Sequence, residues 1–170
     1  MESESMKMTE DTISTINKEG KYLTFALADE EYGISILKVK EIIGMMAITT
    51  VPQTPEFVKG VINLRGKVIP VVALRRKFGM EEVEYTERTC IIVVEIASAS
   101  RAILMGIVVD SVSEVLNIRG DDIEDAPTFG TSLDTDYISG IAKMEGGVKI
   151  LLDIDEVLSA EDIVALDKAS

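Results

Sequence analysis

The 170-residue chain contains no histidine and no tryptophan, and it has one cysteine. Because histidine is the commonest general base and metal ligand, its absence removes the usual catalytic and metal-binding arrangements. A single cysteine excludes an intrachain disulfide, which is typical of a reducing cytoplasm. That cysteine, Cys90, lies in an apolar strand-like run, where we expect an inert thiol rather than a nucleophile. The composition therefore predicts no catalytic residues, no cofactor and no metal site.

Basic residues are scarce as well. The 17 lysines and arginines stand against 30 aspartates and glutamates, so the formal net charge is −13. Nucleic-acid binding needs basic surface to displace counterions, and anionic membranes attract basic segments. No run approaches the roughly 20 apolar residues that span a bilayer, and residues 1–20 lack the apolar core of a signal peptide. We expect a cytoplasmic protein that neither binds nucleic acid nor inserts into a membrane.

Clusters of acidic residues leave an alternative function open. The stretch that begins at Asp153 has the first spacings of a calcium loop, but Leu158 stands where that loop requires glycine. The acidic run at 121–125 is typical of a solvated loop. The alternative to a binding protein is a small acidic β-barrel enzyme or a metal-binding protein.

Short apolar runs separated by glycine turns make up most of the chain. This pattern predicts a mainly β fold of barrels or sandwiches, not a parallel α/β sheet. We divide the chain into a flexible N-terminal tail (1–20), two β-barrel subdomains (21–88 and 89–152) and a C-terminal helical segment (153–170).

Particular elements can be predicted within these ranges. Residues 22–28 and 34–43 are expected to pair as a hairpin, and 103–118 to form one long or bent strand. Pro70 indicates an edge position or a bulge in its strand. Gly79 is expected to end a short helix.

The sequence also matches itself in two places. Residues 57–74 align with 137–154 at an offset of 80 (137 − 57), and 33–43 align with 106–116 at an offset of 73 (106 − 33). Two matches in the same order predict a duplicated small β-barrel. Chance agreement between glycine-punctuated strand pairs is the alternative.

The stretch GVINLRGKVIP contains a turn that differs between the two copies. Gly66 and its equivalent Gly146 suit a hairpin turn that needs positive φ. A turn does not explain Arg65, because the second copy has Glu145 in its place. Since 57–79 forms a basic island on an acidic protein, we predict an acidic or mixed partner for the first copy. An ordinary solvated turn is the alternative.

Three segments, EEYGISILKVKEII, FVKGVINLRGKVIPVVALRRKFG and GIVVDSVSEVL, together resemble the CheW family of bacterial chemotaxis adaptors. The resemblance runs from about Lys21 to the C-terminus. It implies a single CheW-like domain of two SH3-like five-stranded β-barrels, with strands that can be exchanged between them. It also implies a non-enzymatic adaptor that couples the cytoplasmic tips of transmembrane chemoreceptors to the regulatory domain of the histidine kinase CheA, within membrane-associated receptor arrays.

Roles for individual residues follow from the resemblance. It implies a kinase-binding side near Lys59 and Gly60. It implies that a receptor tip lies in an apolar groove between the barrels, with two charged residues at its rim. Core packing is the alternative for the leucine at position 23 and the isoleucine at position 42. The predicted receptor-binding residues are Leu23, Ile36, Val39, Glu41, Ile42, Arg65 and Val112.

We predict that Arg65 pairs with Glu41. The repeat keeps a glutamate at the second position, as Glu114, whereas arginine becomes Glu145, which would repel it. The second barrel is therefore expected to have lost the pair. Because exposed ion pairs contribute little to stability, a pair kept in only one barrel indicates a role in binding.

Overall fold

The computed structural model describes residues 18–98, 101–125 and 137–158. Nearly all of the predicted tail, residues 126–136 after the acidic run, and the predicted helical segment after residue 158 lie outside the described residues. The strands are β1 (Gly20–Leu27), β2 (Glu30–Ser35), β3 (Val39–Gly44), β4 (Val58–Leu64), β5 (Lys67–Ala73), β6 (Cys90–Ser98), β7 (Arg101–Val109), β8 (Ser111–Ile118), β9 (Ile123–Glu124), β10 (Ile138–Met144) and β11 (Gly147–Leu152). The short α-helices are α1 (Leu74–Lys77) and α2 (Ile154–Val157), and 3-10 helices span Ile36–Lys38 and Gly120–Asp122.

The strands form two sheets that each draw on both halves of the chain. The six-stranded sheet has the order β8-β1-β2-β11-β10-β9, and the five-stranded sheet has the order β3-β6-β7-β5-β4. The prediction of a mainly β fold is confirmed. In the part of the chain that the structure describes, neither sheet closes into a ring of hydrogen-bonded strands. The division at residues 88 and 89 stays a prediction, and the strands themselves pair across it.

The strand pairings confirm the internal repeat. The parallel pair Val71 with Gly106 in the five-stranded sheet corresponds to Leu151 with Gly33 in the six-stranded sheet, under the offsets of 80 and 73. The extra strand β9 corresponds to the isolated bridge between Thr49 and the middle of β4, which explains why the sheets have six and five strands rather than five each. The two sheets are therefore two copies of one unit.

Two predicted strands each divide between the sheets. Residues 34–43 do not pair as one strand with 22–28, because β2 begins at Glu30 and the 3-10 helix at 36–38 carries the chain to the other sheet. Residues 103–118 likewise form two strands, β7 and β8, which separate at Asp110. Alternation of apolar residues continues across both crossings, so the pattern alone does not show that the chain changes sheets.

The structure tests the predictions made for Pro70 and for Gly79. Pro70 lies on β5, an interior strand, so the predicted edge position is wrong. The predicted alternative, a bulge, occurs in the same ladder, where the pairing of β4 with β5 shifts between Val58 and Gly60. The ladder that joins β5 to β7 begins only at Val71, which places the missing proline N–H at the end of that ladder. Gly79 ends α1 with φ of 77°, and its N–H donates to the carbonyl of Arg76 at 3.1 Å, as predicted.

The apolar core has one shared part and two local parts. The shared cluster takes buried residues from both sheets, among them Phe25, Ile34, Ile92 and Ile107. A smaller cluster lies within each sheet, which indicates that each sheet curls around its own interior. The half-buried Cys90 packs at the border of the shared cluster, and burial raises the pKa of its thiol, as expected of an unreactive cysteine.

An ion pair holds the bend between β7 and β8. Arg75 donates from Nε to Oδ1 of Asp110 at 2.8 Å and from Nη2 to Oδ2 at 2.6 Å. The N–H of Ala28, in the β1–β2 turn, donates to the same carboxylate at 2.8 Å. Asp110 therefore joins α1, the crossing between the sheets and the first hairpin.

Stability in acid is expected to depend on Asp110. Burial raises its pKa, but the hydrogen bonds from Arg75 and from the N–H of Ala28 outweigh burial and lower the pKa below its ordinary value. A carboxyl group with a lowered pKa in the folded chain stabilises the fold above its unfolded pKa of about 3.9. That contribution is lost as the pH falls through the folded pKa. We expect Asp110→Asn to lower the free energy of unfolding by about 1–3 kcal/mol at neutral pH, because charged hydrogen bonds are lost.

Urea unfolding across pH checks this expectation. The difference between wild type and Asp110→Asn should be constant above about pH 5 and shrink below about pH 4. Asp121→Asn is the control, since that side chain is 87% exposed and lies 3.8 Å from its arginine partner. A difference that grew on acidification would contradict the assignment.

Candidate functional site

The turn between β4 and β5 has an unusual backbone. It contains two residues, Arg65 and Gly66, because Leu64 pairs with Lys67. Their φ angles are 52° and 87°, and positive φ at both positions is the mark of the hairpin turn that favours Asn-Gly. Arginine is disfavoured in this conformation, and such strained residues cluster at functional sites. Within the described ranges, the backbone thus marks Arg65 as one of three non-glycine residues with positive φ, together with Ala28 and Gln53.

The side chain of Arg65 forms a two-point ion pair with Glu41. Nη1 lies 3.2 Å from Oε1, and Nη2 donates to Oε2. The hydrogen bond and the charge of Glu41 raise the pKa of the guanidinium further. Glu41 is on β3 and Arg65 follows β4, the two edge strands of the five-stranded sheet, so the sheet curls until its edges meet. The predicted pair is confirmed, with 70% of the Arg65 side chain exposed.

The equivalent place in the six-stranded sheet carries no such pair. Glu114 and Glu145 are both exposed acids, and neither has an ion pair within the described ranges. Glu145 also lacks the positive φ of Arg65. The prediction that the second unit has lost the pair is confirmed, so this charged corner belongs to the first unit alone.

The predicted apolar residues of the groove separate into three groups. Ile36, Val39 and Val112 are partly buried and pack against the shared core. Ile42 lies beside Glu41 on β3 and is 45% exposed. Leu23 is only 2% exposed and belongs to the core, so its side chain is not presented at the surface.

The two residues assigned to a kinase-binding side are held by internal contacts. Nζ of Lys59 lies 2.8 Å from Glu82 and 5.7 Å from the ring centre of Tyr85. The hydrogen bond with Glu82 is the main cause of the raised pKa of Lys59. Gly60 is buried at a bulge with φ of 142°, and a Cβ there would lie 2.0 Å from the carbonyl oxygen of Thr49. Close packing therefore explains this glycine.

Comparison with known proteins places the chain in a family. A family model described as the CheW-like domain matches residues 21–162. The chain belongs to the CheW family. Chemotaxis protein CheW of Klebsiella aerogenes is 41% identical over 150 residues, which cover 88% of each chain. Chemotaxis protein CheW of Bacillus subtilis is 37% identical over 142 residues, which cover 83% of this chain and 88% of the relative.

A solved CheW structure has the same fold. The crystal structure of the scaffolding protein TtCheW from Thermoanaerobacter tengcongensis matches with a TM-score of 0.74 and 37% identity. The match covers 85% of this chain and 95% of that chain. The chain is therefore a scaffold protein of the CheW family. Its two sheets match the two subdomains that the resemblance implied, but they have six and five strands, and neither closes into a barrel among the described residues.

Two features of this CheW-family surface escaped the sequence analysis. Leu37 is 86% exposed and borders a groove of about 430 Å³ whose lining includes Tyr22, Ile36 and Leu152. The sequence feature that could have revealed Leu37 is the run Ile-Leu-Lys, which resembles part of a continuous strand. Asn63 accepts a hydrogen bond from the N–H of Gly66 at 2.9 Å. The sequence feature that could have revealed this bond is an asparagine three residues before the turn glycine, since asparagine side chains often bind the backbone of turns.

The described segments contain no helix that is both long and apolar enough to cross a membrane. In those same segments, no three histidine, cysteine, aspartate or glutamate side chains are grouped as metal ligands would be.

Proposed function

We propose that this CheW-family chain is a non-enzymatic adaptor that couples transmembrane chemoreceptors to the histidine kinase CheA. The observation that carries the proposal is the ion pair between Arg65 and Glu41, built on a strained turn and kept in only one of the two units. An ion pair that only stabilised the fold would not need a strained turn, and it would be expected in both units. Family membership supplies the class of function.

The receptor tip is proposed to bind across the edge of the five-stranded sheet. Ile42 offers exposed apolar area at the same edge strand, on the face of β3 opposite to Glu41, and Ile36 and Val39 pack against the shared core. Apolar contacts of this kind supply affinity to an amphipathic helical tip. The charges of Arg65 and Glu41 select the register, because a misplaced tip would leave one of them facing a like charge. Leu23 has no direct part in this contact.

The kinase is proposed to bind through its regulatory domain at a separate part of the surface, near Lys59. Since Lys59 already pairs with Glu82, an acidic kinase residue would have to compete with that internal partner. The adaptor carries out no reaction in this account. Binding both partners fixes their relative placement, which is enough to shift the kinase between states of different activity. We place the chain in the cytoplasm, at the receptor arrays.

Affinity capture tests the proposal. The purified chain is expected to retain both a CheA regulatory domain and a receptor cytoplasmic fragment at micromolar concentrations. The Arg65→Glu variant should retain the kinase domain and lose the receptor fragment. The kinase arm therefore serves as the internal control for folding. If wild type retained neither partner, the adaptor function would be refuted.

A further inference from the structure

We propose that Asn63 is a positioning residue for Arg65, and the proposal rests on the receptor-binding function assigned above. Its side-chain oxygen accepts a hydrogen bond from the N–H of Gly66 at 2.9 Å, across the turn. This bond closes a ring around Arg65 and favours the backbone in which φ of Arg65 is 52°. Asn63 thus acts on the receptor face through the arginine, without contacting a partner itself.

Two contacts hold Arg65, one on its backbone and one on its side chain. Glu41 binds the guanidinium, and Asn63 restrains the turn from which the guanidinium extends. The side-chain contact is exposed, so water and salt weaken it. Without the bond to Gly66, the turn relaxes toward negative φ, which arginine prefers, and the guanidinium leaves the reach of Glu41.

The second hairpin shows what the turn does without this acceptor. The residue equivalent to Asn63 is Lys143 (63 + 80), whose ammonium group has no acceptor atom. There Glu145 lacks positive φ, and the adjacent Gly146 and Gly147 have φ of 91° and 151° instead. The acceptor, the strained residue and the ion pair occur together in the first hairpin and are absent together from the described second hairpin.

Amide exchange measures the turn directly. In Asn63→Ala, we expect the Gly66 N–H to exchange with solvent roughly fivefold faster, the factor that corresponds to one ordinary hydrogen bond. Asn63→Asp keeps an acceptor oxygen at the same place and should keep the slow exchange. Lys143→Ala is the matched control in the second hairpin and should leave both turns unchanged. Unchanged exchange in Asn63→Ala would overturn the proposal.

Receptor-dependent kinase activation measures the consequence. Asn63→Ala should lower it roughly fivefold, with unaltered binding to the CheA regulatory domain and a melting temperature lower by only about 2–4 °C, because one hydrogen bond is lost. Normal activation by Asn63→Ala when Arg65→Ala is inactive would overturn the positioning role.

The NMR signal of the Arg65 guanidinium separates failure of this proposal from failure of the proposed function. If Arg65→Ala itself activated the kinase normally, the receptor-binding function would fail. The positioning role would still be supported by a shifted Arg65 Nε–H resonance in Asn63→Ala that returns to its wild-type position in Asn63→Asp. An unshifted resonance would refute it.

Discussion

Arg65→Glu is expected to abolish receptor-dependent activation of the kinase while the melting temperature stays close to that of wild type. The substitution replaces a two-point ion pair by two facing carboxylates, Glu41 and the new glutamate. Because the side chain is 70% exposed, water screens the repulsion and the fold tolerates it. Repulsion between the two carboxylates moves the turn away from β3, so the edge that seats the receptor tip changes and coupling is lost. The measurement is kinase activity in arrays reconstituted with receptor, kinase and adaptor.

Arg88→Glu is the matched control for this result. Arg88 is exposed in the connector before β6, and its side chain has no ion pair among the residues described. The substitution makes the same change in net charge away from the turn, so activation should be retained. An early-melting Arg65→Glu would show a structural role instead. Normal melting together with normal activation would show that Arg65 is only the tip of a turn.

Gly60→Ala is expected to destabilise the fold severely. The new Cβ would lie 2.0 Å from the carbonyl oxygen of Thr49, and φ of 142° is a conformation that alanine rarely adopts. The clash is with backbone atoms of Thr49, which have little room to move, because Thr49 exchanges hydrogen bonds with Val61 at 2.8 and 2.9 Å. Overpacking and backbone strain together predict a loss of about 3–5 kcal/mol in the free energy of unfolding. Thermal and urea unfolding measure it.

Substitutions at two other glycines serve as controls for the expected loss of stability. Gly44→Ala meets no atom within 4 Å and should be close to neutral. At Gly140, the equivalent of Gly60, a Cβ would lie 2.7 Å from a methyl group of Ile123 and 3.1 Å from the carbonyl oxygen of Glu124, and φ is not positive. We expect an intermediate loss there, of about 1–2 kcal/mol. If Gly60→Ala unfolded like wild type but failed to bind the kinase regulatory domain, the glycine would be a contact residue and the packing explanation would be wrong.

The sequence alone predicted the features that repeat or that depend on local chemistry. The duplicated hairpins, the turn at Gly66 and the end of α1 at Gly79 all follow from glycine spacing and apolar patterning. The pair of Arg65 with Glu41 followed from comparing the two copies. Such a comparison works because two units with one fold differ mainly where their functions differ.

Other features depend on the path of the chain through the tertiary fold, which local sequence patterns do not encode. The crossings at 36–38 and at Asp110 interrupt two apparently continuous strands, and the alternation of apolar residues runs through both. Burial is similarly set by the tertiary fold. Leu23 and Leu37 are both leucines in apolar runs, yet one is 2% exposed and the other 86%. The role of Asn63 could be inferred only from the geometry of its hydrogen bond to Gly66.

Exchange of the two charges is the most direct test of the central claim, that Arg65 and Glu41 act together as a receptor contact. The measurement is receptor-dependent kinase activation by the double variant Arg65→Glu with Glu41→Arg, compared with the two single variants and with wild type. Each single variant places like charges together, whereas the double variant restores an attractive pair in the opposite order. We predict that both single variants are inactive and that the double variant regains at least part of the activation, with normal melting in all three. A double variant that folds normally and stays as inactive as the single variants would contradict the claim that the pair acts as a unit.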